Sequence, residues 1–217
     1  MAMPPAMNEL LKWSVENSTA TAADPNAPPP QNRALPADAM NVLFGGPSDA
    51  DLMKASIYAV QSTDPEVTIE DKVIAFDNFE QLIENLDNAN NIEVLELWKP
   101  LLEFLGHEEK EIRKMAAWCV GTAVQNNEKS QKSMLKEGGV PLLVKMCVDE
   151  KEEKDVRRKA VYALSSAIRN FQEGMDVATE ELGKLGRSSE KIDAADMDAC
   201  DVLIGGLREE ASKGAQG

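Results

Sequence analysis

His107 is the only histidine among the 217 residues, and that count alone removes most of the chemistry a chain of this size can carry. A nucleophile–histidine–carboxylate triad needs a histidine beside a serine or cysteine, and Gly106-His107-Glu108-Glu109 offers neither. Zinc sites built on paired histidines lack their second ligand, and Cys119, Cys147 and Cys200 are too far apart to form a CxxC pair. Those cysteines fall on apolar helical positions or at a helix end, where packing is the expected role. Acidic runs such as Asp149 to Asp155 are interleaved with lysine and read as solvated helix faces. Gly45-Gly46 precedes Pro47 rather than a Lys-Ser or Lys-Thr pair, so no phosphate-cradling loop is present. The residues therefore predict a protein that binds rather than catalyses, with no cofactor and no metal.

One stretch has chemistry suited to binding. Asn85, Asp87, Asn88, Asn90 and Asn91 surround Ala89 and form a dense set of short, orientable donors and acceptors. Asparagine and aspartate cap helices and hold turns, which accounts for one or two of them. The remainder are expected to form a loop at the end of a helix that touches a partner, as exposed loops on rigid scaffolds often do.

The elements that would position this stretch repeat along the chain. Ala75 aligns with Ala116 and Ala160, Leu82 with Ala123 and Ala167, Ile83 with Val124 and Ile168, and Asn85 with Asn126 and Asn170. In the second copy Ile112, Met115, Ala116, Cys119, Val120, Ala123 and Val124 follow the spacing of one buried helical stripe. The third repeats it through Val156, Ala160, Ala163, Leu164, Ala167 and Ile168, with Lys159 in place of Met115. Pro100-Leu101-Leu102 and Pro141-Leu142-Leu143 recur at a matching offset, and proline is favoured in a first helical turn. Helical units with periods of about 40 to 47 residues are those of armadillo and HEAT arrays. The expected fold is all-α, an armadillo-like helical repeat solenoid with a flexible N-terminal segment.

Around the array the organisation is expected as follows. Residues 1–18 form a short amphipathic segment with Leu10, Leu11 and Val15 on one side and Trp13 off it, and 19–39 form a flexible Pro/Ala-rich linker. Residues 40–64 make a helical arm capped at Ser48 or Asp49, with Leu52, Met53, Ile57 and Val60 buried. Residues 65–209 hold the repeats, ended by a helix from Asp193 to Glu209 that covers the third unit, and 210–217 are a disordered tail. After Phe171 the pattern is irregular, with Gly183 and Gly186 suggesting a loop. The formal charge of −15 repels phosphate backbones and anionic lipid, so neither nucleic acid nor membrane is an expected partner. With no apolar leader or membrane-length stretch and an odd number of scattered cysteines, a cytoplasmic monomer with reduced thiols is expected.

Several of these segments together resemble the fungal armadillo-type nucleotide exchange factors of the heat-shock protein 70 chaperone. They are MNELLKWSVENS from Met7, LFGGPSDADLMK from Leu43, AFDNFEQLIENLDNANN from Ala75, GTAVQNN from Gly121 and VRRKAVYALSSAIRN from Val156. The resemblance implies a co-chaperone whose repeats embrace the chaperone's nucleotide-binding domain, promote ADP release and so free the client, acting in protein folding and translation. It implies that the segment bearing Leu10, Leu11, Trp13 and Val15 competes for the chaperone's peptide groove. Ala89 matches a chaperone-facing position at which a large charged side chain would block docking, and Asn85, Asn88, Asn90, Asn126, Arg169 and Asn170 follow as further contacts. Longer members continue into a fourth repeat with a further basic contact, for which this sequence shows no clear counterpart. The alternative is a generic armadillo scaffold or peptide-binding adaptor. Import adaptors of that kind place Asn four residues after a groove Trp, whereas here Trp98 is followed by Leu102 and Trp118 by Thr122.

Overall fold

Apolar residues at intervals of three and four, bounded by polar caps, fold into ten α-helices among the described residues, 46–187 and 190–213 of the computed structural model. The chain divides into units 1–48 and 49–217, and every described helix lies in the second. The amphipathic segment over 7–18, the linker over 19–39 and the start of the arm fall outside the described residues.

In chain order the helices are α1 (Asp49–Gln61), α2 (Ile69–Ile83), α3 (Leu86–Val94), α4 (Trp98–Glu103), α5 (Lys110–Val124), α6 (Glu128–Lys136), α7 (Gly139–Val148), α8 (Lys154–Ile168), α9 (Gln172–Lys184) and α10 (Met197–Ser212). The architecture is an all-helical, armadillo-like repeat array. Its spine is the run of long helices α2, α5, α8 and α10, each packed on the next, with α3, α6 and α9 forming a second row and α4 and α7 between. The stripes predicted for α5 and α8 are buried from Ile112 to Val124 and from Val156 to Ile168. Pro100 and Pro141 both stand in the third position of their helices, where a missing N–H costs nothing.

The structure corrects the C-terminal half. α10 begins at Met197, not Asp193, with Asp196 accepting a hydrogen bond from the Ala199 N–H as N-cap. The long helices start at residues 69, 110, 154 and 197, so α10 is a fourth copy in register, which the sequence alignment missed. Position eight of each is fully buried: Phe76, Ala117, Val161 and Ile204. Position eleven follows with Phe79, Val120, Leu164 and Leu207, all interior. The irregular stretch after Phe171 is α9, whose buried side depends on Gly174, Ala178 and Thr179 besides Met175 and Leu182. Small and polar residues hid its periodicity. Leu52, expected inside, is 39% exposed, while Met53, Ile57 and Val60 are buried as predicted.

A second repeating device is visible only in three dimensions. Carbonyls in the last turn of a helix, or in the connection that follows it, lack intrahelical donors, and long cationic side chains can serve them. At position four of the long helices, Lys72 Nζ donates to the Ser62 carbonyl at 2.7 Å and Arg113 Nη1 to His107 at 2.7 Å. Arg157 Nε donates to Cys147 at 3.1 Å, and in α10 the Cys200 thiol takes the same place, 3.6 Å from the Ala194 carbonyl. Arg113 is further held by a bidentate pair with Glu152 at 2.6 and 2.8 Å, which raises its already high pKa.

Candidate protein-binding surface

The asparagines that recur in the sequence turn out to shape corners. Between α5 and α6, and again between α8 and α9, three residues reverse the chain, and the middle one is left-handed: Asn126 at φ 52° and Asn170 at φ 56°. Asparagine tolerates that region far better than branched residues. Both are exposed, and the Asn170 N–H also donates to the Ala194 carbonyl at 2.9 Å. The α2–α3 corner is one residue shorter, so Asn85 sits at φ −74° and caps α3 by accepting from the Asp87 N–H at 2.9 Å. Its structural equivalent is thus Asn127, the cap of α6, rather than Asn126.

The Asn-rich stretch is a helix, not a loop. Capping by Asn85 releases the following residues to continue as α3, and two of the expected contact residues turn inward. Ala89 is 3% exposed, and its carbonyl accepts from Ser130 Oγ of α6 at 3.2 Å. Asn88 is also buried, its amide bridging Asp49 Oδ2 at 2.7 Å and the Leu82 carbonyl at 3.0 Å. Asn90 is half-buried with its Oδ1 enclosed and without a hydrogen-bond donor. Arg169 is engaged within the chain, donating to Ser165 Oγ at 2.9 Å and pairing with Asp201 of α10. Ala89, Asn88 and Arg169 therefore hold the array together where the sequence reading had them reaching outward.

The long helices present a face that the sequence reading overlooked. Position nine carries Asp77, Trp118 and Tyr162 on α2, α5 and α8. Lys159 Nζ stands 3.6 Å above the Trp118 ring centre and 5.7 Å from that of Tyr162, a cation–π arrangement. Burial lowers the pKa of this lysine, while the Glu80 carboxylate acts in the opposite sense. Glu80, itself buried, accepts from Thr122 Oγ1 at 2.7 Å. Tyr162 lies flat enough on α5 that a Cβ at Gly121 would come within 2.5 Å of its ring, and its hydroxyl reaches Gln125 at 3.2 Å. Lys114 and Asp155 pair across the same two helices at 3.0 Å. The recurrence of an aromatic at position nine was the available signal. The result is a fixed, half-exposed surface of mixed charge with aromatics at its middle, suited to another protein.

Among the described residues no catalytic arrangement competes with it. His107 is half-buried and its Nδ1 accepts from the Glu109 N–H at 3.0 Å, a turn-holding role. The three thiols are buried, and burial pushes the pKa of each upward, which makes them poor nucleophiles. Among the described residues no cluster of three or more His, Cys, Asp or Glu is placed to hold a metal, and no helix is long and apolar enough to cross a membrane.

Comparison with known proteins bears on the partner. Residues 7–92 match the family described as nucleotide exchange factor Fes1, and residues 88–186 match the SIL1/FES1/HPBP1 C-terminal domain. The two matches meet on α3. A protein of Gibberella zeae named Hsp70 nucleotide exchange factor FES1 is 60% identical, over 96% of this chain and 98% of its own length. The Neurospora crassa Hsp70 nucleotide exchange factor fes-1 is 47% identical over 94% of this chain and 97% of its own. A solved crystal structure of an engineered protein shares the fold with a TM-score of 0.52 at 18% identity, covering 97% of this chain and 85% of that one.

Proposed function

The chain belongs to the Fes1 nucleotide exchange factor family, and from that premise we propose that it is a co-chaperone which binds the nucleotide-binding domain of a cytoplasmic heat-shock protein 70, promotes ADP release and thereby frees the client. The observation that carries this reading is the 60% identity along nearly the full length of a relative bearing that name. Such a protein is a binding factor, not an enzyme, in keeping with a site made of packing, ion pairs and aromatic faces. Exchange follows from differential binding: a factor that favours the state holding ADP weakly must itself bind less tightly when ADP is present.

The chaperone-facing surface comprises the exposed face of α2, α5 and α8 around Trp118, Lys159 and Tyr162, together with the corners at Asn85, Asn126 and Asn170. Ala89, Asn88 and Arg169 contribute by fixing α3 and α10 in place. The segment with Leu10, Leu11, Trp13 and Val15 competes for the chaperone's peptide groove, tethered by the linker over 19–39. The protein acts as a monomer, without nucleic acid or membrane, since a charge of −15 disfavours both.

Stopped-flow release of a fluorescent ADP from a cytosolic heat-shock protein 70 tests the reading. Micromolar protein should accelerate release, and an unchanged rate would sink the proposal. Deleting residues 1–39 should leave that acceleration intact while slowing displacement of a bound client peptide. Loss of both activities would refute the division of labour.

A further inference from the structure

The helix that carries the Asn-rich stretch has an outer face unlike its counterparts. α3, α6 and α9 occupy equivalent places, and their third, fourth and seventh positions are buried alike: Asn88, Ser130, Gly174; Ala89, Gln131, Met175; Ile92, Met134, Ala178. Positions one, five and nine face away from that contact. On α6 they are Glu128, Lys132 and Lys136, the first two paired at 2.6 Å, and on α9 they are Gln172, Asp176 and Glu180, with Gln172 donating to Asp176 at 2.8 Å. Both faces are polar, and on α9 Gln172 also donates to the Ile192 carbonyl at 2.9 Å and accepts from the Ala194 N–H at 2.8 Å. On α3 the same positions are Leu86, Asn90 and Val94, with Leu86 58% and Val94 72% exposed. Two large aliphatic side chains on one side of a nine-residue helix, where the other copies carry charge, have no packing role to explain them.

Two further observations say what should cover this row. Between Val73 and Trp98 the sequence has no Lys or Arg, and Glu84, Asp87, Glu93 and Glu96 are all exposed around α3. Among the described residues, the cation paired with this rim is Lys136, 3.8 Å from Glu93. An apolar row inside a ring of carboxylates complements a patch that is apolar at its centre and lysine- or arginine-bearing at its edge. The Asn90 Oδ1 is enclosed without a donor, a state that costs free energy and that turning the amide outward to a partner's N–H relieves.

We propose that Leu86, Asn90 and Val94, ringed by Glu84, Asp87, Glu93 and Glu96, form a docking edge for an apolar, basic-rimmed patch on the chaperone's nucleotide-binding domain. This rests on the exchange-factor reading above and adds Leu86, Val94 and the surrounding carboxylates to Asn90, which the family resemblance already implies. In this arrangement the Asn-rich motif has two faces: Asn88 and Ala89 seat α3 on α6, and Leu86, Asn90 and Val94 meet the chaperone.

The full chain serves for the test, as wild type, as Leu86→Ser/Val94→Ser and as Glu93→Gln/Glu96→Gln. Melting temperature, binding to the isolated nucleotide-binding domain by biolayer interferometry at low and high salt, and stopped-flow ADP release are measured for each. Leu86→Ser/Val94→Ser should weaken binding by about tenfold or more, the scale of lost anchor residues, with no drop in melting temperature. Glu93→Gln/Glu96→Gln should slow association and flatten its salt dependence. If wild type accelerates ADP release and both variants bind within about twofold of it, the docking edge is refuted while the exchange-factor reading stands. If wild type fails to accelerate release, the underlying reading falls and the inference with it. A wild type that sediments as a dimer, dissociated by Leu86→Ser/Val94→Ser, assigns the row to self-association and also overturns it.

Discussion

Individual side chains divide into those that shape the backbone and those that fill it, and each kind makes a measurable claim. Asn126 and Asn170 hold φ values of 52° and 56°, so replacement by glycine should be nearly neutral. Valine at either position should cost about 1–2 kcal/mol, lowering the melting temperature by roughly 2–8 °C for a chain of this size. Melts of Asn126→Gly against Asn126→Val check this, and equal melts would show the conformation is not what selects asparagine. Cys119, Cys147 and Cys200 are all buried, and desolvation raises each thiol pKa above its ordinary value of 9.0. A raised folded-state pKa contributes stability below the unfolded value, and that contribution is lost as pH climbs. Stability should therefore decline above about pH 9, and thiol reagents at pH 8 should label all three cysteines only after unfolding. A cysteine labelled rapidly in the native protein would contradict its burial.

At the scale of the element, α3 shows how one helix can serve two neighbours. Ala89 lies against α6 at 3% exposure, so Ala89→Arg must either bury a cation or push the helix off its seat. We expect a melting temperature lower by several degrees together with lost exchange, both read on one purified variant. Lost exchange with an unchanged melt would mean that position 89 contacts the chaperone directly, as the family resemblance implies. Gln131 performs the parallel task on α6, its amide reaching the Ser166 carbonyl at 2.9 Å and that of Arg169 at 3.2 Å. Gln131→Leu fills the space but leaves those carbonyls without this donor, and should cost about 1–3 kcal/mol in urea denaturation. A cost near zero would show that other groups serve them.

For the whole molecule the decisive feature is the fourth long helix. α10 packs on α8 as α8 packs on α5, burying Cys200, Ile204, Leu207 and Ala211. Ile204 and Leu207 alone should contribute about 1.5–3 kcal/mol each through burial. A chain stopped after Arg187 should melt several degrees lower and bind a hydrophobic dye, because the α8 face that α10 covers is left open. The Arg169 to Asp201 pair would be lost with it, though an ion pair with an exposed carboxylate adds little by comparison. Unchanged stability in the shortened chain would mean that α10 rests on the array without supporting it.

The sequence by itself determined the class of fold, the absence of catalytic parts and the family. Each of those rests on local information: buried stripes at helical spacing in α5 and α8, proline landmarks in α4 and α7, a single histidine, and contiguous motifs. It also carried the corners, since asparagine recurs where the backbone turns left-handed. Only the tertiary structure decided which way the asparagines face. α3 seats in the same register as α6 and α9 despite its shorter corner, so Ala89 points in and Leu86 and Val94 point out, and no spacing rule read along one strand of sequence carries that. α9 was hidden because glycine, alanine and threonine give a helix little apolar contrast, whereas α10 was legible as a covering helix and only its standing as a fourth copy was missed. Their burial depends on packing against α7 and α8, and for α9 also α6, which no pattern within either helix names.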